Sequence, residues 1–157
     1  MSLDYSFDMA TELSLELFAR EVVDVAREFG LVEAAVTPEQ IVSDGAKTTL
    51  GTWLKVYAPA PPPWAPEVTE LGITATVSIS FELYKHDKLE EQKDDFVRIV
   101  GRLLRRVPGD AVLTGMENHW LVRRGDELDV SEVDYLWPPH RLAELPEPYR
   151  RMTHVYG

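Results

Sequence analysis

The chain has 157 residues, 45% of them apolar and 27% charged. These are the proportions of one globular domain with a real core, and they exclude wholesale disorder. Lys and Arg total 16 against 27 Asp and Glu, a net charge of −11, which disfavours nucleic acid or an anionic membrane as the main partner and permits a basic one. With no cysteine, disulfides, thiol catalysis and thiolate metal sites are excluded.

Leu3, Tyr5, Phe7 and Met9 alternate with polar residues, the period-2 mark of a half-buried strand. Leu15, Phe18, Val22, Val25 and Phe29 then recur at helical spacing, with Thr11 or Ser14 as cap and Gly30 as the left-handed terminator. Thr37-Pro38-Glu39 predicts a short helix to about Val42, closed by the Asp44-Gly45 turn. A second strand is expected from Lys47 to Tyr57, and a third, the clearest, from Ile73 to Tyr84. The Ser/Thr side of that third strand predicts a sheet covered on one face only. Between them, residues 58–71 hold five prolines around Trp64, a stiff extended segment outside the ladder. A loop of that length raises a functional question.

Asp87 and Glu90 have capping-box spacing before a second long helix with Leu89, Phe96, Val100, Leu103 and Val107 on its apolar stripe. Its acids crowd the start and its arginines the end, as the helix dipole favours. Pro108-Gly109 ends it, strands follow near Ala111–Met116, His119–Arg124 and Glu127–Val130, and the tail beyond Leu136-Trp137-Pro138-Pro139 has weak periodicity. The order β-α-(short α)-β-β-α-β-β predicts a single α+β domain over residues 1–157. It is a two-layer sandwich, a mainly antiparallel sheet with two main helices on one face, and a ferredoxin-like arrangement is the first topology. Met1–Tyr5 shows no leader pattern and no apolar run approaches ~20 residues, so a soluble cytoplasmic protein is expected.

No catalytic or metal motif stands out. His86, His119, His140 and His154 lack the i, i+4 spacing of helical metal ligands. Glu117 and His119 share one side of a strand, an arrangement more often a surface contact than an acid-base pair. Gly45-Ala46-Lys47-Thr48 lacks the glycines of a phosphate loop, and no Gly-x-Ser-x-Gly elbow singles out a serine. No cofactor and no metal are expected. Trp53 and Trp120 lie in strand patterns and read as packing residues. Trp64 and Trp137, in proline-rich segments, are either lids or interface anchors.

Acidity is the most informative feature. Residues 3–100 hold 18 acids and eight bases, and Glu90, Glu91, Asp94 and Asp95 lie mostly away from the apolar stripe of the second long helix. Such a face either keeps a small protein soluble or steers a basic partner toward it.

Leu50-Gly51-Thr52-Trp53, Val107-Pro108-Gly109-Asp110-Ala111-Val112-Leu113, Trp120-Leu121-Val122-Arg123-Arg124 and Leu136-Trp137-Pro138-Pro139 follow one another along the chain. With the opening Leu3-Asp4-Tyr5-Ser6-Phe7 they resemble the Sit-type immunity proteins, which protect bacterial cells from toxins delivered by swarming neighbours. The resemblance implies a cytoplasmic, non-catalytic protein that binds and neutralises a cognate toxin, and carries no binding residues with it. From the residues themselves, the expected contact set is Glu90, Glu91, Asp94 and Asp95, with Trp64 as an apolar anchor against a basic toxin surface. A structural or regulatory subunit docking a protein through its proline-rich loop is the alternative, and an enzyme with a deep polar pocket is a third reading.

Overall fold

The computed structural model describes residues 3–155; Met1 and Ser2, part of the stretch read for a leader, lie outside them. In chain order the elements are β1 (Leu3–Ala10), α1 (Leu15–Glu28), α2 (Pro38–Ser43), β2 (Ala46–Lys47), β3 (Trp53–Tyr57), α3 (Pro66–Thr69), β4 (Val77–Leu83), α4 (Leu89–Arg106), β5 (Asp110–Gly115), β6 (Asn118–Arg124), β7 (Glu127–Val130), α5 (Pro139–Leu142) and β8 (Arg150–Arg151). The eight strands make one open sheet in the order β2-β3-β4-β1-β5-β6-β7-β8. Every pairing is antiparallel except β7 with β8.

Local chemistry accounts for the main elements. Ser14 caps α1 by accepting from the Leu17 amide at 3.2 Å, and Gly30 at φ 68° lets Leu31 donate back to Ala26. Thr37 caps α2 in the same way, with Pro38 at its first position. Tyr5, Phe7 and Met9 of β1 and Ile79 and Phe81 of β4 point inward to meet Phe18 and Val22 of α1 and Phe96 and Val100 of α4 in one core. Full burial of each aromatic there contributes roughly 1.5–3 kcal/mol. A register shift between Leu113 and Thr114 lets Trp120 and Leu121, neighbours in β6, both reach that core.

Several expectations are corrected. The strand foreseen over residues 47–57 is a hairpin: Thr48 donates to the Thr52 carbonyl at 2.8 Å, and Gly51 at φ 99° makes the turn between β2 and β3. The expected capping box is absent. Lys88, at φ 52°, occupies the cap position of α4 without a side-chain cap, and Gln92 ties down the approach instead. Its amide donates to the Tyr84 and Asp87 carbonyls, while its oxygen accepts from the Tyr84 amide and the Thr52 hydroxyl. Leu136 and Trp137 join the core, and in the weakly periodic tail beyond them Leu145 joins it too while β8 extends the sheet.

The expectation of a sheet covered on one face only also fails. β4 begins at Val77 rather than Ile73, because the preceding residues cross the other face. There Leu71 and Ile73 pack with Val112 and Val122, outside the helix-side core. Thr76 anchors the crossing, its amide donating to the Met9 carbonyl at 2.8 Å and its hydroxyl to the Thr11 carbonyl at 3.0 Å. The proline-rich segment and α3 therefore form a strap over part of the polar face.

Candidate functional site

The four acids of α4 have different environments. Glu90 accepts from Lys93 at 2.7 Å and from the buried Arg141 at 3.1 Å, and those two cations hold its carboxyl below the usual carboxylate range. Asp94 accepts from Arg141 at 2.7 Å and lies 2.7 Å from the His140 imidazole. Asp95 is buried, which raises its pKa despite Arg98 at 3.6 Å. Glu91 alone of the four is exposed without an ion-pair partner among the described residues. Arg141, only 1% exposed, thus neutralises half of the set from α5. Lys93, also buried, lies 4.0 Å over the Tyr135 ring. Burial and Tyr135 together raise the Tyr5 phenol beneath them.

Trp64 is 77% exposed and stands on the strap, so the fold does not bring it together with the α4 acids: the sheet separates them. Three residues on, Glu67 of α3 meets Asp8 of β1. Burial first, then the Asp8 carboxylate, push Glu67 up to about 7. Asp8 also accepts from Ser6 at 2.8 Å and from Ser78 at 2.5 Å. The pairing was invisible in the sequence, where the two acids lie far apart and in different element types.

Trp137 is a packing residue, buried in the core with its indole donating to the Trp120 carbonyl at 3.1 Å. Trp53 lies over Gly45, where a Cβ would come within 2.8 Å of the indole. At the far edge, Asp129 accepts a bidentate contact from Arg150 at 2.7 and 3.1 Å and lies 2.9 Å from His154; the arginine leads in holding Asp129 down. This arrangement fixes β8 to β7. Desolvation lowers the nearby His119, and His154 adds to the shift. Glu117, at φ 66°, belongs to the β5–β6 turn. Among the described residues no group of three or more His, Asp or Glu is placed to hold a metal ion, and no helix is long and apolar enough to cross a membrane.

The helices differ in net charge. From Leu89 to Arg106, α4 carries four acids and five bases, whereas residues 12–44, holding α1 and α2, carry eight acids and two arginines. That second segment supplies −6 of the chain's −11. Of its acids, Glu21 and Glu28 pair with Arg106 and Arg102 of α4. Counting charge per element, a signal present in the sequence, would have moved attention from α4 to α1 and α2.

No curated protein and no solved structure matches this chain. A family model described as SitI3-like matches residues 3–141, from β1 into α5, which bears out the Sit-type resemblance: the chain belongs to the SitI3-like family.

Proposed function

We propose that this protein is a cytoplasmic, non-catalytic immunity protein that binds a cognate toxin and neutralises it by occlusion. Membership of the SitI3-like family is the observation that carries the reading. Its framework is taken as a ferredoxin-like unit of β1, α1, β3, β4, α4 and β5, extended at both edges of the sheet. A preformed scaffold of this kind loses little entropy on binding, so a few desolvated anchors suffice for affinity.

The proposed contacts are Glu90, Glu91, Asp94 and Asp95 on one layer and Trp64 on the other. Glu91 is the acid readiest to meet a basic group, since Glu90 and Asp94 already hold Arg141. Trp64 is an exposed aromatic of the type that anchors interfaces. Coexpression with the toxin encoded beside it tests the reading: cells should survive with the protein and die without it. Equal killing in both would refute the immunity reading.

The exposure of Trp64 on a proline-stiffened strap also favours the alternative, a non-catalytic structural or regulatory subunit that docks a permanent protein partner there. That reading expects a complex insensitive to salt and lost on Trp64→Ala. The immunity reading expects association that slows as salt screens the acidic surface.

A further inference from the structure

We infer that the cleft between α1 and α2 is an interaction surface for a basic protein segment that inserts one large apolar side chain. The inference rests on the reading above, that the protein acts by binding another protein. It deepens that reading by naming a surface and a partner chemistry.

The cleft holds about 270 Å³, room for one Leu-to-Trp side chain and below the ~300–1,000 Å³ of small-molecule sites. Half-buried Leu15, Pro38 and Val42 line it, and Glu16, Arg20 and Glu39 stand exposed around it. Its origin is the brevity of α2. With six residues, that helix buries only Ile41 in the core, which leaves Pro38 and Val42, four apart, incompletely covered beside the first turn of α1.

Charge selects the occupant. The rim has two carboxylates against one guanidinium, and neither Glu16 nor Glu39 has an ion-pair partner among the described residues. The surrounding segment carries eight acids and two arginines. Lysines or arginines flanking the inserted side chain are therefore attracted, and an anionic ligand is repelled. A second copy of this chain would bring the same acids face to face in a symmetric contact. An apolar pocket inside a charged rim is the arrangement of an interface anchor site.

The test titrates the isotope-labelled full chain with three blocked peptides, Arg-Lys-Trp-Lys-Arg, Arg-Lys-Ala-Lys-Arg and Glu-Glu-Trp-Glu-Glu, followed by amide chemical shifts. The basic Trp peptide should perturb the amides of Leu15, Glu16, Glu39 and Val42. Affinity should fall at least about tenfold with the Ala peptide and with the E16K/E39K chain, and the acidic peptide should leave the cleft unperturbed. Perturbations centred on α4 or the strap, or equal affinity for the E16K/E39K chain, would overturn the inference. The coexpression experiment separates the two readings. Full protection by the E16K/E39K chain removes the cleft while immunity stands; killing despite the unaltered chain removes immunity while the peptide result still decides the cleft.

Discussion

The α1–α2 layer and α4 both display carboxylates, yet they differ in what those groups face. Along α4, Arg141 reaches in from α5 to hold Glu90 and Asp94, and the arginines of its last turns reach across to Glu21 and Glu28 of α1. Around α2 the corresponding acids, Glu33, Glu39 and Asp44, have no such partner among the described residues. A charge already paired inside the molecule contributes little field outside it, because the partner's opposite charge cancels it within a few ångströms. Glu90 and Asp94, in the run most prominent in the sequence, are therefore tied into the fold, while Glu91 and the dispersed acids around α2 contribute more to the surface potential.

That contrast can be broken most directly at Arg141. Replacing it with Ala leaves Asp94 without its guanidinium partner, Glu90 with Lys93 alone and a void in a buried site, so stability should fall by about 3 kcal/mol in urea unfolding. A loss below about 1 kcal/mol would mean that the α4 acids are as independent as those of α2. Comparing Asp94→Ala with Glu91→Ala sharpens the same point within one helix. The first should cost about 1–2 kcal/mol, since Asp94 is three-quarters buried and twice hydrogen-bonded. The second should stay within ~0.5 kcal/mol, as exposed groups do.

The strap offers a pH-dependent contrast. Glu67 is raised from 4.5 to about 7 in the folded protein, so its contribution is complete below about 4.5 and is lost as pH rises toward about 7. Across that window the unfolded chain has released the proton and the folded one has not. With Glu67 only half buried, solvent screening reduces the effect to about 1 kcal/mol. Unfolding free energies measured from pH 4.5 to 7.5 should decline by that amount in the native chain and stay flatter in Glu67→Gln. The smallest expected effect is that of Trp64→Ala. With the ring 77% exposed, stability should change by less than ~0.5 kcal/mol, so any lost binding reports contact rather than misfolding.

Much of the fold was legible because it depends on neighbours along the chain. Ser14, Gly30 and Thr37-Pro38 mark helix ends through bonds spanning a few residues, and the alternation of β1 is a local consequence of the pleat. The failures share a different cause. The capping box at Asp87 and Glu90 was a sound local signal, overridden when Gln92 bonded to Tyr84 and to Thr52 from a separate hairpin. Ile73 has the right period for β4, yet Val112 and Val122 gave its side chain an apolar surface on the other face. The candidate site was less legible still. Trp64 and the α4 acids look like one surface in a linear reading, and the strap's crossing put the sheet between them.

By itself the sequence determined the two long helices and the main strands, the α+β class, the absence of thiol chemistry and the excess of acid. Each follows from composition or from periodicity within a dozen residues, which any fold of the chain must respect. Tertiary structure alone decided which acids meet Arg141, that Glu67 is brought against Asp8, and that a cleft opens between α1 and α2. Those outcomes depend on distances between residues remote along the chain, and Coulomb and burial energies act on such distances and not on sequence separation.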